Sequence, residues 1–372
     1  MKIGINYRLL VLLVLLGGFA VSEVALELRP SFLRPGLHLF AYVGNTGDGT
    51  LTAIDLVKLS PAATIPVGPS PTAVRANPSR KEIWGLSSSG GYAWVLDAPS
   101  NQIVARISVA APSALDFSPD GARAYVTSAQ SNTLDEIDCG SRKIVARAAT
   151  GRAPSAVRVS PDGKTVLVSN RGDSTLSVFD AASLAPQGVV PVASDPGQIV
   201  ILPDGSKAFI TSNAKDEISV VDLKDLNLLT NLSLGGAPND LLLKPDGGEL
   251  YIPSGDAHGL FVVNTQTNEV GDFRFLGMSP MAGALSADGA TLYATDSAAG
   301  HVVPVAIGNR QVAHPITVGQ SPVAAELTPG GDILAVVDTS SDDLAVIRTK
   351  TSSLITLIPT GPQPRSLAIK VF

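Results

Sequence analysis

Apolar and polar side chains alternate in short runs of five or six residues along nearly the whole chain, and each run is closed by turn residues. Residues 154–195 show the unit clearly, with alternating runs at 155–159, 165–169, 175–179 and 187–192. Alternation with period two is the pattern of a half-buried β-strand, and no stretch carries a 3.6-residue pattern long enough to compete. The unit then repeats. A proline followed by a short apolar run recurs at Pro71, Pro112, Pro154, Pro196, Pro238, Pro280, Pro322 and Pro364, at a first interval of 41 and then 42 throughout. Seven residues after several of these prolines stands a turn, such as Ser118-Pro119-Asp120-Gly121 and Ser160-Pro161-Asp162-Gly163. Proline presets φ, the aspartate bonds back to the backbone, and glycine takes the positive φ. A third register places Trp84, Tyr125, Leu167, Phe209, Tyr251, Tyr293 and Ala335 thirteen residues after their prolines. A fourth ends a strand at Asp55, Asp97, Asp138, Asp180 and Asp222, where side chains of turn-bonding type are expected.

Four strands and four turns fill about 40 residues, so this period predicts a β-propeller blade rather than a solenoid coil. The ends complement each other. Residues 38–68 hold the last three strands of a unit, and residues 364–372 hold only the first. Joining them makes one blade from both termini and removes the exposed edges of a linear array. The expected fold is therefore all-β: a closed propeller of eight four-stranded blades over residues 38–372. Seven blades is the alternative, with one unit outside the ring.

Tyr42-Val43-Gly44-Asn45 and Tyr125-Val126-Thr127-Ser128, together with the Ser-Pro-Asp-Gly turns and strand-ending aspartates, resemble the YVTN β-propeller repeat family over nearly all of residues 38–372. The resemblance implies fold more than function. That broad group is similar to surface-layer and periplasmic binding proteins, to lactonase-type hydrolases, and to the haem-d1 propeller of nitrite reductases, and a ring of eight resembles the last.

Composition narrows the field. Of 372 residues, 45 % are hydrophobic and 16 % charged, with 35 Gly and 27 Pro. This excludes disorder and disfavours long helices. A net charge of −6 gives no reason to expect general nucleic-acid binding. One cysteine, Cys139, excludes an intramolecular disulfide and a Cys-cluster metal site. At the N-terminus, Lys2 and Arg8 precede an apolar run over 9–21, with Ala20 and Ser22 framing a cut before Glu23. This order is that of a secretory signal over 1–22, followed by a linker over 23–37. Its cleavage leaves a periplasmic or extracellular protein of charge −8; an uncleaved anchor is the alternative.

No Gly-x-Ser-x-Gly elbow, phosphate-binding loop, haem-attachment motif or His-Glu-x-x-His helix occurs. Function is therefore expected where loops converge on a rigid scaffold, at the mouth of the channel lined by the first strand of each unit. That face should carry Arg152, Asn170, Arg171, Asp195, Asn239, Asp240, His258, His301 and Arg365. Asn239 and Arg365 stand where Thr72, Ser113, Ser155 and Gly197 keep the position small. Arginines with amide donors suit a carboxylate or phosphate, so a small anionic ligand or a protein partner is expected. His258 and His301, with Asp256 and Asp296, have the donor types for a divalent metal but no convergent third ligand, so no metal site is assigned. The reading is a monomeric binding scaffold, with a lactonase-like hydrolase or a haem-d1-type propeller as alternatives. No catalytic constellation emerges, and the cofactor is left open.

Overall fold

A computed structural model describes residues 38–372, and they form eight antiparallel sheets arranged as a ring. The signal at 1–22 and the linker at 23–37 lie outside the described residues. Numbering from Pro71, blades 1 to 7 begin near residues 71, 112, 154, 196, 238, 280 and 322. Blade 3 is typical: Pro154–Val159, Thr165–Asn170, Thr175–Asp180 and Pro186–Pro191, ordered from the axis outward. Blade 8 is the composite. Its inner strand is Pro364–Val371, followed outward by Leu39–Asn45, Thr50–Asp55 and Ser60–Pro66. Leu39 pairs with Val371 and Val43 with Leu367, so the ring closes through the two ends. Exposed His38 stacks on Phe372 at 5.4 Å and exchanges two backbone hydrogen bonds with it.

The local causes are those in the pattern. Middle strands are buried on both faces, whereas outer strands alternate exposed and half-buried positions. Gly121, Gly163, Gly205, Gly247 and Gly289 take positive φ in the Asp-Gly turns. The strand-ending aspartates accept backbone N–H groups two or three residues on, as Asp55 does from Val57 and Lys58 and Asp222 from Lys224 and Asp225. Apolar clusters lie between blades, not within them. One joins Tyr125 and Leu134 of blade 2 to Val157, Val166 and Phe179 of blade 3. Each such side chain contributes roughly 1.5–3 kcal/mol, so the ring is held by the contacts that closure completes.

Two blades depart from the repeat. In blade 5 the inner strand shrinks to Leu242–Leu243, and in blade 6 the outer strand breaks into Gln311–Val312 and Ile316–Thr317 around exposed His314. Among the described residues no helix is long and apolar enough to cross a membrane.

Candidate functional site: the axial channel

A β-bulge after the repeat proline recurs in inner strands, between Pro112 and Ala114, Pro154 and Ala156, and Pro322 and Ala324. The bulged residue turns its side chain toward the next blade. Ser113 Oγ donates to the Pro154 carbonyl and Ser155 Oγ to the Pro196 carbonyl, both at 2.7 Å. The inner strand is the free edge of each sheet, and its backbone groups need such partners.

Deeper along the same strands, four residues after the proline, stand Arg75, Asp116, Arg158 and Glu326 in blades 1, 2, 3 and 7. Asp240 of blade 5 joins them from two residues after its proline. Four of these five charges clip one inner strand to the next. Val159 N–H donates to Asp116 at 2.9 Å, Ile369 N–H to Glu326 at 3.1 Å and Gly283 N–H to Asp240 at 3.3 Å. Arg158 Nε donates to the Ile199 carbonyl at 3.1 Å, and its Nη1 lies 3.8 Å from Asp116. Arg75 is different. It is exposed to the channel and has no hydrogen bond or ion pair among the described residues. Burial and the neighbouring Arg158 guanidinium lower its pKa, against the fields of Asp116, Glu326 and Asp240. Burial pushes the Glu326 carboxyl up to about 7, opposed by the Ile369 N–H and by Arg75. Burial also raises Asp240, although Leu241 and Gly283 both donate to it.

The residues expected at the mouth separate into three groups. Arg152 and Arg171 are exposed but paired, with Asp173 and Asp195 respectively. Asn170 ends a strand rather than entering a loop; it is fully buried and its amide donates to Thr175 and Ser177. Asn45 does the same with Thr50 and Thr52, which identifies the position as structural. Asn239 Oδ1 accepts from Gly255 N–H at 2.6 Å. His258 Nδ1 lies 2.6 Å from the Met278 carbonyl, and His301 is the first residue of the strand His301–Ala306, opposite Asp296. Asp296 is itself held by Met278 and Ser279 N–H groups, so the two histidines and two aspartates are not gathered around one point. Among the described residues no three His, Cys, Asp or Glu side chains form a metal-sized group. Arg365 alone of the nine is exposed and without a partner among the described residues.

Sequence reasoning passed over Arg75 and Glu326. The signal was present, because most other inner strands hold Val200, Leu242, Ala284 or Ala368 at that register. A groove of about 630 Å³ lies elsewhere, at the rim between blades 8 and 1, bordered by Ala62, Ile65 and Arg106. Size does not make it a site, since its one arginine is held over the Tyr92 ring at 5.5 Å.

A family model described as "Lactonase, 7-bladed beta-propeller" matches residues 109–224. Among curated proteins no sequence match was found. Of solved structures, dihydro-heme d1 dehydrogenase NirN in complex with DHE aligns with a TM-score of 0.74 at 18 % identity, over 91 % of this chain and 77 % of that one. Hydrazine synthase of Kuenenia stuttgartiensis aligns with a TM-score of 0.60 at 19 % identity, over 75 % of this chain and 95 % of that one. At such identities the likeness is one of fold. The matched family is described with seven blades; this chain is a β-propeller with eight.

Proposed function

We propose that this chain is an exported binding propeller that seats a small ligand with an anionic group in its axial channel. The observation that carries the reading is Arg75, a guanidinium enclosed by the ring, reachable by water, and without a protein partner among the described residues. An arginine in such a place offers a planar pair of donors and gains most from a carboxylate or phosphate. Arg365 stands on the adjacent inner strand, three positions nearer the loop face, about 10 Å along the axis at strand rise. The two form a path from mouth to interior. Export rests on the basic start and apolar run of residues 1–22.

The match over residues 109–224 supports a lactonase-like alternative. A divalent cation for such chemistry does not fit the carboxylates present, because Asp195 faces Arg171 and Asp240 is spent on backbone N–H groups. The fold likeness to NirN supports a tetrapyrrole-binding alternative. There His258 Nε2 and the His301 imidazole, without hydrogen-bond partners among the described residues, are the nitrogens available on the expected loop face. A visible absorption band in protein from its native source distinguishes that alternative.

Acetate serves as the probe for the main reading, with binding measured by saturation-transfer NMR. Native protein and Arg152→Ala should bind acetate equally, and Arg75→Met should lose at least tenfold. Undiminished binding by Arg75→Met overturns the assignment.

A further inference from the structure

Charge is unevenly spread around the channel. At the register of Arg75, blades 7, 1, 2 and 3 carry Glu326, Arg75, Asp116 and Arg158, whereas blades 4, 5 and 6 carry Val200, Leu242 and Ala284, which pack into the clusters between blades. Blade 5 contributes Asp240 two positions earlier. At the register of Arg75, Asp116 and Arg158 are committed to the inner strands and to each other. Glu326 uses only Oε1, which accepts from Ile369 N–H; Oε2 has no partner among the described residues. Arg75 and Glu326 are thus the two charges at this register with free valence among the described residues, one of each sign. They flank blade 8, whose residue at this register is Ala368, a methyl group that is itself buried. No long side chain stands between them from that blade.

A dianion is a poor occupant, because Asp116, Asp240 and Glu326 line the same enclosure and like charges repel strongly there. A monocarboxylate alone would satisfy Arg75 and leave Glu326 desolvated without a donor. We propose that the ligand is a zwitterion, an α-amino acid or equivalent. Its carboxylate lies on the Arg75 guanidinium and its ammonium donates to Glu326 Oε2. This assignment rests on the channel reading above and adds the second charge to it.

Leucine and 4-methylpentanoate, which differ at the ammonium group, separate the two claims. Native protein should bind leucine at least tenfold more tightly than 4-methylpentanoate in competition saturation-transfer NMR. Glu326→Gln keeps an amide oxygen for Ile369 N–H, so the strand clip survives, and should reduce that preference to within about twofold. Arg75→Met should weaken both compounds. If 4-methylpentanoate binds through Arg75 and leucine binds no better, the zwitterion assignment is wrong and the channel reading stands. A leucine preference that survives Glu326→Gln also overturns it. If neither compound binds native protein, both readings fall.

Discussion

Asp338 and Asp343 are directly opposed across the hairpin between the second and third strands of blade 7, and both Oδ1 atoms are buried without a hydrogen-bond donor. Asp338 Oδ2 is taken by Gly319 N–H at 3.0 Å. Two carboxylates so placed cannot both ionise at low cost, and a shared proton resolves them. Burial, and then the Asp343 side chain, raise Asp338 well above the ordinary carboxylate range.

Replacing Asp338 with asparagine should therefore stabilise the ring at neutral pH. In blades 3 and 8 the equivalent residues, Asn170 and Asn45, donate from their amides to Thr175 and Thr50, five positions on. Asp343 lies five positions after Asp338. The sign follows from proton uptake: with a raised folded-state pKa, the folded protein holds a proton that the unfolded chain releases above about pH 4. Stability thus falls as pH rises from that point through neutrality. Asp338→Asn should gain about 1–2 kcal/mol at pH 8 and little at pH 4, measured by urea unfolding at both. An equal gain at both pH values contradicts the shared proton.

Removing residues 364–372 should lower the thermal midpoint by more than about 10 °C. The deletion strips the ladder from Leu39–Asn45 and leaves edges on either side of the gap. An unchanged midpoint is incompatible with closure through blade 8.

Tyrosines of the second strand differ in what their hydroxyls reach. Tyr125 donates to the Ala181 carbonyl at 3.1 Å and Tyr42 to the Ala98 carbonyl at 3.2 Å, each 56 residues on in the next blade. Tyr293 has no hydrogen bond among the described residues. Tyr125→Phe should cost about 1 kcal/mol in chemical unfolding, and Tyr293→Phe close to nothing. Equal effects would remove the inter-blade role of the hydroxyl.

Gly85 pairs across strands with Trp94, and a Cβ there would stand 2.2 Å from Trp94 Cζ2. The indole is fully buried and cannot swing away. Gly85→Ala should lose about 1–3 kcal/mol, whereas an alanine on an open strand position would lose little. A neutral result in calorimetry would show that blade 1 repacks.

The architecture was legible because a 42-residue period, an aspartate turn and two partial units at the ends all report one geometry. The site was less so, for reasons tied to particular residues. Loop position at the channel mouth points to Arg152 and Arg171, but their partners Asp173 and Asp195 are fixed only once neighbouring loops are in place. Asn170 looked like a loop residue, although Asn45 holds the same place in its blade and the same bonds. Arg75 and Glu326 stand inside strands, where alternation describes which blade a side chain faces but not whether it also reaches the axis.

The strand that completes blade 8 follows all the others in chain order. Leu39 and Val371 must find each other across nearly the whole chain, and a separation of that size places closure among the slowest contacts to form. Until it occurs, Leu39–Asn45 presents an unpaired ladder of buried-type residues, the kind of edge that recruits other chains. Folding therefore passes through an adhesive intermediate, and its lifetime is set by how quickly residues 364–371 pair with residues 39–45.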